Sequence, residues 1–109
     1  MTVYELLQAW VRALPPGLPP DGRPDVPAHT AALDIPCSGV THDSRQASPG
    51  SIFVALRGFK SDGADFAPQA IAGGSAVVVA ERAPGSPSSV PWILVSDARL
   101  ALAQLAARR

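Results

Sequence analysis

Apolar residues recur at helical spacing from the start of the chain, where Val3, Leu6, Leu7, Trp10, Val11 and Leu14 share one face. Thr2 stands in front of them with Glu5 three positions on, a capping-box signature, so a helix is predicted over Thr2 to Leu14. Pro15-Pro16 ends it, because proline lacks the N–H of the helical ladder and drives its predecessor out of helical geometry. Further on the apolar runs become short and continuous. Ile52 to Leu56 and Ala76 to Ala80 read as strands buried on both faces. Between them Asp65 to Ala72 predicts a helix with Phe66, Ala70 and Ile71 toward the sheet, and Gly73-Gly74 supplies a left-handed cap. Strand, helix, strand with both strands buried predicts a parallel, right-handed crossover.

Two weaker strands complete the pattern, one over Gly39 to His42 and one over Trp92 to Val95. A last helix starts at Ser96 or Asp97, either of which can cap it, and carries Leu100, Leu102 and Leu105. Its terminal arginines complement the helix dipole. Ser48-Pro49-Gly50 is a turn in which proline supplies the restricted backbone position and glycine the permissive one. The expected fold is therefore α/β, a small mixed, partly parallel sheet with flanking helices. Residues 1–36 are read as a helix and a proline-rich connection, and residues 37–109 as the α/β domain. The stretch Pro15 to Pro27 holds six prolines with Gly17, Gly22, Asp21 and Asp25, a lone basic residue in Arg23 and no aromatic anchor, so it reads as linker or surface loop.

Composition narrows the function classes. With 109 residues the chain makes one compact domain, and 47% hydrophobic but only 6% aromatic content predicts a light core. Nine basic and nine acidic residues give no net charge and no basic stripe, which argues against nucleic acid as a partner. The single Cys37 can form neither an internal disulfide nor a zinc site and reads as a small buried side chain. No apolar run reaches the ~20 residues that span a bilayer, and no signal peptide is seen. A cytoplasmic protein without a membrane partner is the expectation.

Candidate chemistry gathers in two places. His42 ends the first predicted strand and Asp43, Ser44 and Arg45 follow it; neighbours in extended chain point to opposite sides, so His42 and Asp43 do not meet as a base and its orienter, and a catalytic Ser44 is not expected. Two readings of Asp43-Ser44-Arg45 stand side by side. One is a turn held by its own side chains, with Arg45 paired to a carboxylate or carbonyl. The other is a ligand site at the end of a strand, where small molecules sit in α/β sheets, with the loop Gly58 to Gly63 closing over the same place. That loop has phosphate-loop glycine spacing, yet Ala64-Asp65 stand where Lys-Ser/Thr would be required. No Gly-x-Gly-x-x-Gly and no His/Cys cluster is present, and His29 reads as solvated.

The ordered motifs Val40-Thr41-His42-Asp43-Ser44-Arg45, Pro49 to Gly58 and Asp62-Gly63 resemble the N-terminal domain of Mur ligases. Phe66, Ala70-Ile71, Gly74, the valine strand with Glu81, and Pro91 through Arg99 continue the resemblance to Ala107. Within the family the chain is most similar to the MurE type, the UDP-N-acetylmuramoyl-dipeptide ligase that adds the third peptide residue. Glu81 and Asp97-Ala98-Arg99 favour that type, and MurF is the alternative, with a non-catalytic α/β binding module a further one. Ala64, where such domains commonly carry histidine, is a departure.

The resemblance implies a role in peptidoglycan precursor synthesis. It implies that this domain holds the uridine end of UDP-N-acetylmuramoyl-L-Ala-D-Glu through His42, Ser44, Phe59, Lys60 and Ser61. Phe59 also reads as an aromatic covering the core, and Lys60 as a solvated charge. No catalytic residue and no metal ligand is assigned. ATP and magnesium are implied for a full-length, amide-forming ligase whose central and C-terminal domains lie outside these 109 residues, so this chain alone is expected to be inactive. Whether diaminopimelate, lysine or ornithine is added is not encoded in this half.

Overall fold

In the computed structural model, residues 1–18, 24–58 and 62–109 are described. The first helix, α1, spans Val3–Ala13 and begins with the expected capping box. The Thr2 hydroxyl accepts from Glu5 N at 3.1 Å, and the Glu5 carboxylate accepts from Thr2 N at 2.8 Å. That bond holds the Glu5 carboxyl below its usual range. Leu14, in front of Pro15, has turned to extended backbone and closes the helix.

Four strands follow, β1 Gly39–Thr41, β2 Ser51–Val54, β3 Val77–Ala80 and β4 Trp92–Leu94. They lie side by side in chain order, and all three pairings are parallel. The α/β class with flanking helices is as the sequence predicts. The sheet is parallel throughout, where a mixed one was expected, because every connection returns the chain to the same edge before the next strand starts. Ser48-Pro49-Gly50 forms its turn ahead of β2, with Ser51 N donating to Ser48 O at 2.9 Å and Gly50 at φ 83°. Proline second and a left-handed glycine third define a type II turn.

Helix α2 is shorter than predicted. Residues Gly63–Phe66 form a 3-10 turn and the α-helix proper spans Ala67–Ala72, followed by Gly74 in the left-handed cap position. The tighter turn changes which side chains reach the sheet. Ala64, Ala67 and Ala70 are buried against it, while Phe66 is 45% exposed, contrary to its predicted inward orientation. Helix α3 spans Ala98–Arg108; Asp97 caps it by accepting from Leu100 N at 3.1 Å, and Glu81 adds a second cap by accepting from Ala98 N at 2.9 Å.

Strands β2 and β3 are buried on both faces, so two cores exist. On one face Ile52, Val54, Val77, Val79 and Ile93 pack with Val3, Leu6, Leu7 and Trp10 of α1 and Leu105 of α3. On the other, Phe53, Ala55, Val78 and Ala80 pack with the alanines preceding and within α2. Trp10 joins the two long helices, its indole N–H donating to Gln104 Oε1 at 2.9 Å. Two smaller expectations are corrected. Cys37 is only partly buried, its Sγ lying 3.7 Å from Gly39 O on the approach to edge strand β1. His29 is not merely solvated: its ring lies 4.6 Å from that of Tyr4, and its Nε2 is 3.6 Å from an Asp34 oxygen.

Candidate functional site

Parallel strands in one order bring their carboxyl ends to a single edge, the place where α/β sheets present their loops to ligands. Three polar segments emerge there. His42 to Arg45 leaves β1, Arg57-Gly58 leaves β2, and Glu81-Arg82 leaves β3.

The first segment holds itself in shape. Thr41 Oγ1 accepts from Asp43 N at 3.0 Å, and Asp43 accepts from Arg45 N at 3.0 Å, starting a 3-10 turn over Ser44–Gln46. The Arg45 guanidinium then donates twice to the same carboxylate, Nε to Oδ1 at 3.1 Å and a terminal nitrogen to Oδ2 at 3.0 Å. This two-pronged pair draws the Asp43 carboxyl below its ordinary range and raises Arg45, although both lie at the surface. The turn-shaping role read for Asp43 and Arg45 is what the geometry gives them. Ser44 is left to face outward, and its hydroxyl donates to Gln69 Oε1 on α2 at 2.8 Å rather than bonding a histidine.

Between this turn and α2 lies a cleft of about 500 Å³ lined by His42, Asp43, Ser44, Arg45, Phe66 and Gln69. His42 and Ser44 are thus brought together at one opening. Phe59, Lys60 and Ser61 lie outside the described residues. The neck of their loop is nonetheless defined. Arg57 and Asp62 form an antiparallel bridge, and Gly63 N donates to Leu56 O at 2.7 Å. Arg82 reaches over from the end of β3, its Nε donating to Asp62 at 2.6 Å and a terminal nitrogen to Asp65 at 2.7 Å. Asp62 also accepts from Ala64 N at 3.0 Å, and these donors, the Ala64 N–H foremost and then Arg82, lower its carboxyl pKa.

Asp43 and Asp62 therefore carry a measurable signature. Their pKa values are lowered on folding, so the stability they contribute is complete above the ordinary aspartate value of 3.8 and is lost as pH falls through the depressed values. Carboxyl carbon shifts followed through an acid titration should place both midpoints below 3.8 in the folded chain. Midpoints at or above that value would contradict the hydrogen bonding described.

Sequence reading passed over two residues of the cleft. Phe66 was assigned to the sheet, and Gln69 was not singled out. The available signal was their spacing, since residues three apart share a helical face and Gln69 sits among alanines that do the packing. A second cleft, about 360 Å³, runs between α1, α3 and the end of β4. It is chiefly apolar, and its carboxylate, Asp97, is already engaged as the cap of α3.

The described residues contain no group of three His, Cys, Asp or Glu side chains able to hold a metal ion. The sequence carries no phosphate-loop Lys-Ser/Thr after Gly63, and neither ATP nor magnesium is assigned to any of these residues. No helix among them is long and apolar enough to cross a membrane.

A parallel α/β domain with a cleft at the carboxyl edge of its sheet is an architecture in which that edge commonly carries ligand sites. The model of the Mur ligase family, catalytic domain, matches residues 36–109, more than half of the chain, and the protein belongs to that family. The UDP-N-acetylmuramoyl-L-alanyl-D-glutamate–2,6-diaminopimelate ligase of Geobacillus kaustophilus is 53% identical over 87 residues, 78% of this chain and 15% of the relative. The UDP-N-acetylmuramyl-tripeptide synthetase of Roseiflexus sp. is 46% identical over 87 residues, 74% of this chain and 16% of the relative. Among solved structures, MurF from Acinetobacter baumannii superposes with a TM-score of 0.63 at 29% identity, covering 98% of this chain and 20% of that one. The chain thus spans about 15% of the length of curated relatives it matches.

Proposed function

We propose that this chain is the substrate-binding domain of a MurE-type ligase, holding the uridine nucleotide end of UDP-N-acetylmuramoyl-L-Ala-D-Glu during peptidoglycan precursor synthesis. The observation that carries the reading is the cleft, where His42 and Ser44 open onto one space at the carboxyl edge of the sheet. The neck of the 57–62 loop follows the adjacent strand, so Phe59, Lys60 and Ser61 are assigned to the same ligand. In this reading residues 37–109 form the binding domain. Ser44 bonds the nucleotide, His42 packs beside it, and the loop supplies backbone N–H groups and the Lys60 charge toward the diphosphate. ATP, magnesium and the amide-forming step belong to other parts of the full-length, cytoplasmic enzyme.

Relatives whose names specify addition to the alanyl-glutamate substrate support the MurE type. The solved MurF structures favour a second reading, in which the same cleft takes a longer muramoyl-peptide and only the nucleotide contacts are shared.

Titration with UDP-N-acetylmuramoyl-L-Ala-D-Glu, followed by amide chemical shifts, tests the assignment. Shifts confined to His42, Ser44 and Phe59 to Ser61 are expected, and UDP alone should move the same set. An unchanged spectrum at millimolar nucleotide would remove the proposal. Binding is expected to be weak, since a ligand shared among linked domains loses those contacts when one acts alone.

A further inference from the structure

We infer that Arg82 is a positioning residue of this cleft, tying down the turn that holds the Phe66 ring where a nucleobase can stack on it; the inference rests on the nucleotide reading of the site. Phe66 is 45% exposed and lines the cleft with His42 and Ser44, the one aromatic among the large apolar side chains exposed in the described residues. An exposed ring at the mouth of a cleft offers a face on which any base stacks. Its place there is not what a regular helix would give it. Phe66, Ala70 and Ile71 are spaced for one face of an α-helix, so a helix begun at Asp65 would turn the ring toward the sheet. The 3-10 turn over Gly63–Phe66 points it outward instead.

Arg82 grips that turn at two points. Its Nε donates to Asp62, the residue that caps the turn, at 2.6 Å, and a terminal nitrogen donates to Asp65, the residue before Phe66, at 2.7 Å. The backbone of Arg82 is itself fixed just past β3, where its carbonyl accepts from the Trp92 indole N–H of β4 at 2.9 Å. The guanidinium therefore fastens the turn to the sheet. One planar cation spanning two carboxylates also sets the spacing between them, which a single exposed pair does not. The group is not an anion site. Arg57 and Arg82 are balanced by Asp62 and Asp65, so these side chains carry no excess positive charge to draw a diphosphate.

Loss of the guanidinium leaves Asp62 bonded to Ala64 N and Gly63 N bonded to Leu56 O. The turn stays attached at its start and is released at the Asp65 side chain. Ala64 and Ala67 are buried on the sheet side and still pack. The core is kept while the Phe66 ring loses its fixed direction, so the effect falls on ligand affinity and not on stability.

The test is a double-mutant cycle for UDP on the intact 109-residue chain, with affinities from chemical-shift titration. Phe66→Ala should weaken UDP by about tenfold, the scale of one base–aromatic stack. Arg82→Gln should weaken it by about threefold or more, in the range for losing exposed charge pairs, with a nearly unchanged melting temperature. In the Phe66→Ala background Arg82→Gln should add nothing further, because its effect passes through the ring. Asp65→Ala removes only the acceptor next to Phe66 and should repeat the loss, which guards against a defect peculiar to the glutamine variant. The Phe66 ring protons should shift on UDP addition, and by less in Arg82→Gln. Affinity untouched by Phe66→Ala, or by both Arg82→Gln and Asp65→Ala, overturns the inference. So do losses that add, which would make Arg82 a direct contact to the diphosphate. Each of those outcomes leaves the nucleotide reading intact, whereas no UDP binding by the unmodified chain overturns both.

Discussion

Trp10→Ala should lower the stability of the domain by about 3–5 kcal/mol, the range for truncating a large aromatic side chain in a close-packed core. Trp10 is 1% exposed and heads the largest fully buried side chains, so its removal leaves a void between α1, α3 and the sheet. The neighbours are poorly placed to fill it. Leu6 and Leu7 are already committed to the same core, and the residues of α3 that reach this face are largely alanines. The indole N–H bond to Gln104 is lost as well. Total stabilities of single domains are about 5–15 kcal/mol, so the variant is left marginal. A melting temperature lower by roughly 15 °C or more is expected in thermal denaturation. A fall of only a few degrees would mean that α1 is not integral to the core.

Gly63→Ala should be nearly as costly, for a different reason. A Cβ at this position would lie 2.5 Å from Leu56 O and 2.7 Å from Leu56 N. Both are backbone atoms, so no side chain can swing aside, and the neck of the 57–62 loop must open. The bond from Gly63 N to Leu56 O and the Arg57–Asp62 bridge open with it, and Arg82 loses the fixed carboxylates it spans. A cost of about 3 kcal/mol is expected, at the upper end for forced overpacking. Faster exchange of the residue 63 amide should accompany it. Gly85→Ala is the matched control, because nothing lies within 4 Å of a Cβ there, and it should be close to neutral. Equal behaviour of the two variants would remove close backbone approach as the explanation. If the loop serves the nucleotide, Gly63→Ala also weakens UDP binding, whereas Gly85→Ala does not.

Most of the scaffold was legible in the chain because its signals are local. Thr2 and Glu5 wrote the start of α1, Pro49-Gly50 wrote the turn ahead of β2, and Asp97 wrote the start of α3. The two runs of consecutive apolar residues wrote strands buried on both faces. What escaped depended on tertiary context. Phe66 looked like a core residue until the 3-10 turn rotated it outward. The parallel pairing of the edge strands β1 and β4 has no local marker, since each is three residues long. In the cleft, His42 and Ser44 were visible as a polar cluster after a strand. Gln69 was not, because its meaning arises only when α2 is laid beside the turn. Glu81 was noticed for its type, while its bond to Ala98 N required knowing that α3 begins where β3 ends.

The bond between Trp10 and Gln104 joins residues 94 positions apart, and this separation sets an order of assembly. Each parallel pairing in the sheet links neighbouring strands, so the sheet can extend progressively as the chain emerges from a ribosome. The apolar face of α1, made first, finds its helical partner only after α3 has been synthesised. Closing so long a loop before its contacts are rewarded is an entropic barrier that shorter connections do not face. Until then the strands cover only part of the apolar face of α1, and the part that meets α3 stays open on the nascent chain, the kind of surface that chaperones shield and that aggregates at high expression.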